Sequence, residues 1–388
     1  MKVLFITRGF PSEKDPMAGN YEAVQAKAIA TKGHEVCVIA VRWFNLLHIF
    51  GSKKVNRRIV DGIHIYECDR LTLSIPHIYI PKIELLFREW QFKRIYNRYI
   101  KEVGLPDVVH AHIIMYAAPA IFLKEEMHLP FVITEHWSRI FEENTLKRVM
   151  NQTLAYHIAD KVICVSDALS DNLQQKCCVD SVVIHNMVND CFFKSRKIVH
   201  QNKTFRFIAV GAMRKVKRFD LLVEAFALCY FPENVTLEIV GDGVERKLVE
   251  DKIQELNVSD QVNLLGMKTP EEVNNLLCQS DCFVLSSKLE TFSIVLIEAM
   301  AKGLPVIATR CGGPETFVRP EDGLFVPKDN AEELAKAMKY MVEHYQEYDA
   351  EEIRQHCLDN FSQDVIADKI ISVYQSVIDK SKHVNDEL

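Results

Sequence analysis

Short runs of β-branched and other apolar residues recur along the chain, separated by stretches whose apolar positions return every three or four residues. VLFIT, YEAVQAKAIATKG and HEVCVIA open the pattern, and DVVHAH, FVITEH, KVICVS and VVIHN follow with amphipathic stretches among them. Strands alternating with helices predict an α/β fold whose sheet is largely parallel. A polar break, KSRKIVHQNKT (194–204), has no apolar periodicity and reads as a linker. Beyond it the alternation restarts with FRFIAVG, DLLVEAFALCY, VTLEIVGDG, VNLLG, CFVLSS and PVIAT. The expected organisation is therefore two doubly wound, Rossmann-like domains, 1–193 and 205–361. A last helical pattern at 362–388, opened by the cap residue Ser362, is placed to pack back across the first domain. In such sheets ligands sit outside the carboxyl ends of the strands, so the loops after these strands are where chemistry is sought.

Composition changes this picture little. With 388 residues, 48% hydrophobic and 26% charged, the chain has the make-up of a globular protein and not of a fibre or a disordered tail. Eleven cysteines form no CxxC pair, which favours reduced thiols over a disulfide or zinc framework. MKVLFITRGF reads as a first strand rather than a signal peptide, and no stretch approaches the roughly 18 apolar residues of a membrane helix. The expected location is the cytoplasm, with peripheral attachment to the membrane's inner face as an extension. Lys and Arg number 23 against 21 Asp and Glu in residues 1–193, and 24 against 32 in residues 194–388. A net charge of −6 speaks against a nucleic-acid partner, while the more basic N-terminal half suits an anionic acceptor or lipid surface. KIELLFREWQFKRIYNRYIK (82–101), basic with interleaved aromatics, is either a helix lying on an anionic bilayer or an ordinary surface helix.

The chemistry concentrates in SSKLETFSIVLIEAMAKGLPVIATRCGGPE. A strand ends at CFVLSS, a loop carries Glu290, a helix runs from about Phe292 to Lys302, Gly303 stops it, and PVIAT begins the next strand. Glu290 thus lies at the mouth of a loop at a strand's carboxyl end, Ser293 and Ile294 offer free amides to a phosphate, and Glu298 sits inside the helix. The two glutamates with seven residues between them, and the flanking Phe292, Ala299, Met300, Ala301, Gly303, Pro305 and Val306, resemble the E-x7-E segment of retaining glycosyltransferases of the GT-B fold, family 4 type. The resemblance spans nearly the whole chain.

It implies two Rossmann-like domains facing across a cleft, and a donor site for a nucleotide-diphosphate sugar. Glu290 then contacts the donor sugar and Glu298 the ribose, with Thr291, Phe292, Ser293 and Ile294 beside the diphosphate. Ser293 stands where the family usually has glycine, and its side chain narrows the approach. VGAMRKVKRFDLLVEAF (210–226) places Lys217 on the family's diphosphate-neutralising lysine, but the family arginine is Ala212 here, so Arg214 or Arg218 takes its place. Gly241 of GDG lines the donor loop, Met267 of LGMK meets the nucleobase, and CGGPE (311–315) is the loop that closes near the donor.

In the N-terminal half the family's glycine-rich loop appears as Ala18-Gly19, and Gly19 permits close backbone approach to the donor. His112, ending DVVHAH, falls on the family histidine that faces the reacting sugar. His110 alternates with it by two and points to the same side by geometry alone. Glu135 and His136 of TEH are equally suited to capping, packing or the site, and HNMVN (185–189) resembles a junction between domains. The implied activity is metal-independent transfer to an acceptor hydroxyl of a glycan or lipid-linked acceptor, in polysaccharide or surface-glycan assembly, with His112, Glu290 and Lys217 as catalytic residues and no cofactor. A non-catalytic GT-B partner subunit and a GT-B nucleotide-sugar epimerase are the alternatives. A dinucleotide oxidoreductase would require a GxGxxG fingerprint that is absent.

Overall fold

The computed structural model describes residues 1–13, 15, 17–45, 55–72, 81–136, 152–194 and 204–386. The 194–204 break therefore lies, from 195 to 203, outside the described residues. Two compact units result: Met1–His185 together with Gln363–Leu388, and Asn186–Ser362.

The first unit holds strands β1 (Lys2–Thr7), β2 (Glu35–Asn45), β3 (Asn56–Val60), β4 (Ile63–Thr72), β5 (Val108–His112), β6 (Phe131–Glu135), β7 (Lys161–Cys164) and β8 (Val182–Val183). Their order is β3-β4-β2-β1-β5-β6-β7-β8, parallel except for β3, which pairs antiparallel with β4. Asp61 and Gly62 both have positive φ (50° and 79°), the requirement of the two-residue turn that joins β3 to β4. Helices on both faces of a parallel sheet leave its central strands no polar side, and Val3, Leu4, Phe5, Val108, Val109 and Ile133 are accordingly buried. The terminal helix Gln363–Asp386 belongs to this unit: Asp364 and Asp368 pair with Lys32 at the end of helix Asn20–Thr31, and Tyr374 is fully buried.

The second unit is a six-stranded parallel sheet of β9 (Phe205–Val210), β10 (Val235–Val240), β11 (Val262–Gly266), β12 (Cys282–Leu285), β13 (Val306–Thr309) and β14 (Gly323–Val326), in the order β11-β10-β9-β12-β13-β14. Its core joins Phe207 and Val284 of the sheet to Leu222 and Phe226 of helix Phe219–Cys229 and Met338 of helix Ala331–His344. Both sheets reverse direction beside their first strand, between β1 and β5 and between β9 and β12. At such a switch point the flanking loops diverge and leave a crevice at the strands' carboxyl ends.

Candidate donor site and histidine cluster

In the second unit the loops after β9 and β12 flank the switch point, and they carry Lys217 and Glu290. Lys217 ends a single 3-10 turn, Lys215–Lys217, that directly precedes helix Phe219–Cys229. Its Nζ donates to Glu290 Oε1 at 2.5 Å, and Ser287 Oγ donates to the same oxygen at 2.6 Å. Backbone ties fix both loops: Glu290 N donates to Cys311 O, Gly313 N to Glu290 O, Lys288 N to Val216 O, and Ser286 Oγ to Lys217 O. A Cβ on Gly313 would lie 2.5 Å from Phe292 N, so this loop contact requires glycine. Glu290 is 8% exposed, a burial that its two strong donors make tolerable.

Arg214 is exposed, and among the described residues no hydrogen bond or ion pair reaches its guanidinium. Arg218, the other candidate, is bound to Asp220 at 3.1 Å and to Asp329. Of the two arginines, Arg214 is the one whose guanidinium is unengaged among the described residues. Gly241 (φ 132°) packs so closely on the loop after β9 that a Cβ would meet Gly211 O at 1.9 Å. Met267, following Gly266, is exposed.

The helix after Glu290 begins later and ends earlier than its sequence suggests, running from Ile294 to Met300. Ser293 accounts for the late start: at φ 85° and ψ 83° it stands in left-handed space as the residue before the helix. Its buried Oγ has no hydrogen-bond partner. Phe292 packs on Phe317 and Phe361, so its side chain is core. Glu298 keeps partial exposure, and among the described residues no hydrogen bond or ion pair reaches it. Burial pushes its carboxyl up to about 8.

In the first unit, Gly19 (φ 61°) precedes helix Asn20–Thr31, and a Cβ there would come 2.1 Å from Gly9 O. His110 and His112 both lie on β5, with ring centroids 4.4 Å apart, but their surroundings differ. His110 is held at both nitrogens, Nδ1 by Tyr374 Oη at 2.5 Å and Nε2 by Thr134 Oγ1 at 2.7 Å, and burial drives its pKa down to about 3. His112 stacks on Phe5, and among the described residues neither of its ring nitrogens has a partner. Burial, then the neighbouring His110, His136 and Arg8, hold it neutral. The next residue, Ile113, is β-branched yet has φ 68°, a strained conformation that redirects the chain just after the histidine. Glu135 is a cap: it accepts from Ile114 N at 2.9 Å, from His136 N at 2.9 Å and from Tyr156 Oη at 2.6 Å.

Residues 19–191 match the family model described as Glycosyltransferase Family 4, and residues 192–376 match the one described as Glycosyl transferases group 1. The chain belongs to the group 1 glycosyltransferases. An uncharacterised glycosyltransferase of Haemophilus influenzae is 26% identical over 84% of this chain and 87% of its own. Among solved structures, sucrose-phosphate synthase from Thermosynechococcus elongatus superposes with a TM-score of 0.80 at 21% identity, covering 98% of this chain and 100% of that one. The Anabaena protein HepE, solved in complex with UDP, superposes with a TM-score of 0.72 at 18% identity, covering 97% and 100%. These likenesses establish the GT-B fold, with its two Rossmann-like domains.

Sequence reading of this glycosyltransferase passed over two residues that the fold brings into play. Ser287, three positions before Glu290, is the carboxylate's second donor. Glu22, on helix Asn20–Thr31, is 1% exposed, and its charge acts on His136. The signal for Ser287 was its place in the loop at a strand's carboxyl end; for Glu22 it was an acid on a helix whose buried positions are otherwise uncharged.

Proposed function

We propose that this protein is a retaining glycosyltransferase, transferring a sugar from a nucleotide-diphosphate donor to an acceptor hydroxyl. The observation that carries the reading is the Lys217–Glu290 pair at the switch point of the second unit, a cation for diphosphate joined to a carboxylate for sugar hydroxyls. HepE, which shares the fold, binds UDP, and a uridine nucleotide is the first donor to test.

In this mechanism the bond from the sugar's anomeric carbon to the diphosphate oxygen breaks as the acceptor oxygen bonds to the same face. The acceptor's proton passes to the departing diphosphate. Lys217 and Arg214 offset the charge that develops there, Glu290 binds the sugar's hydroxyls, and Glu298 takes the ribose hydroxyls, with the amides about Ser293 and Ile294 beside the phosphates. In the first unit, His112 offers a neutral ring whose nitrogens have no partner among the described residues. The mechanism invokes no metal ion.

The acceptor is assigned to a glycan or a lipid-linked molecule, with attachment to an anionic membrane surface. Helix Pro81–Val103 supports that assignment less through charge than through Ile83, Leu86 and Trp90, which stand exposed at helical spacing on one side. Lys93 is paired with Glu89 and Glu126, and Arg98 with Glu102, so two of its cations are already compensated. A thermal-shift panel of UDP, UDP-glucose, UDP-N-acetylglucosamine, GDP and GDP-mannose tests the donor assignment, because a ligand at about 100 times its Kd adds about 2.7 kcal/mol. Hydrolysis of a stabilising nucleotide sugar without acceptor separates an enzyme from a non-catalytic partner. No shift with any of the five would overturn the reading.

A further inference from the structure

The first unit contains a carboxylate that the mechanism above does not use. Glu22 is buried to 1% exposure, and among the described residues neither of its oxygens accepts a hydrogen bond. Among the described residues its one ion-pair partner is Arg8, whose Nε stands 3.3 Å from Oε1 and whose side chain is 44% exposed. A carboxylate withdrawn from water without hydrogen bonds destabilises the fold that holds it. Helix Asn20–Thr31 would bury an apolar residue at this position at no such cost.

The surroundings repeat the pattern. His112, 1% exposed, has both ring nitrogens unpartnered. Its ring centroid is 5.6 Å from that of His136. Glu22 and Arg8 both act electrostatically on His136 and on Tyr116, and Arg8 acts on His112 as well. One cluster thus gathers two unfilled carboxylate oxygens, a neutral imidazole that offers one donor and one acceptor, and a half-exposed guanidinium. A free cation would be repelled by Arg8, and a free anion by Glu22. A neutral group that both donates and accepts hydrogen bonds matches all of them, and two adjacent hydroxyls span two carboxylate oxygens.

We infer that Glu22 is a sugar-contacting residue, its carboxylate accepting hydrogen bonds from vicinal hydroxyls of a sugar ring that also meets His112. The inference rests on the transferase reading. The ring belongs either to the donor or to the acceptor, and the chemistry is the same for both.

Glu22→Gln decides the matter when wild type and variant are compared with UDP-glucose, UDP-N-acetylglucosamine and GDP-mannose. Hydrolysis without acceptor and transfer to octyl β-D-glucoside are both followed, and nucleoside diphosphate binding is measured by calorimetry. A fall of at least tenfold in hydrolysis assigns the donor's ring. A fall in transfer alone assigns the acceptor's. In either case affinity for UDP or GDP stays within twofold of wild type. The variant should also melt about 1–2 °C higher, the scale expected for a chain of 388 residues, because it loses an unsolvated carboxylate while Arg8 still reaches water. Rates within twofold of wild type, equal losses of nucleotide affinity, or a melting point lowered by several degrees would each overturn the inference. The last would mean that Glu22 is a structural ion pair. A wild type inactive on all three donors would instead overturn the transferase reading itself.

Discussion

Removing the Glu290 carboxylate separates two roles that the structure joins. In the free protein Lys217 Nζ is bound to Glu290 Oε1 at 2.5 Å, so a donor diphosphate has to draw Lys217 away from a carboxylate it already holds. Glu290→Gln weakens that hold while leaving Ser287 Oγ an acceptor. A hydrogen bond to a charged group contributes about 1.5–3 kcal/mol, but Lys217 and Glu290 keep 22% and 11% side-chain exposure, and solvent screening places this pair toward the lower figure. UDP affinity, read by calorimetry, should therefore stay level or rise by up to about tenfold, or roughly 1.4 kcal/mol. Turnover should fall by about 10²–10³, the loss seen when one preorganised transition-state contact is removed. Lys217→Ala should do the opposite to the nucleotide, weakening UDP by about 1.5–3 kcal/mol. If Glu290→Gln weakens UDP as much as Lys217→Ala does, with both variants folded, the carboxylate serves the nucleotide and not the sugar, and the division of labour proposed here is wrong.

Three further outcomes follow from the same geometry. Burial raises Glu298 from 4.5 to about 8, so between those values the folded protein holds a proton that the unfolded chain has released, and stability falls as pH rises through that window. Ribose hydroxyls donating to Glu298 favour its ionised form, so UDP should bind more tightly from pH 6 to about 8 and then level off; an unchanged slope in Glu298→Gln would dismiss the ribose role. His110→Ala should lower stability by about 2–4 kcal/mol, through two lost buried hydrogen bonds and a cavity. His112→Ala should cost less stability but cut turnover, and denaturant titrations giving the reverse ranking would exchange the two assignments. Finally, Leu86→Asp with Trp90→Ser should abolish sedimentation with anionic liposomes, whereas charge removal at Lys93 and Arg98 should matter less because both are already paired; equal binding by the double variant would refute attachment through this helix.

The period of the apolar residues was enough to predict two parallel α/β units. A strand buried on both faces must be apolar throughout, and a crossover helix must be apolar on one side, so the alternation is written locally. Glu290 was legible as a carboxylate in a loop after a strand, where doubly wound sheets hold ligands; Lys217 and Gly241 were singled out by the family resemblance, and Gly241 occupies a backbone position closed to any side chain.

What the sequence could not contain is which of these groups meet. Lys217 and Glu290 are far apart in the chain, and only the adjacency of β9 and β12 brings them into contact. His110 and His112 are indistinguishable by alternation; the terminal helix separates them, because Tyr374 and Thr134 satisfy His110 and leave His112 bare. Arg214 was preferred to Arg218 on the sequence, and the engagement of Arg218 by Asp220 and Asp329 is a fact of the fold alone. Glu22 drew no notice as one acid on a short helix, since the cost of a charge depends on the water and partners around it, and those are set by residues remote in sequence.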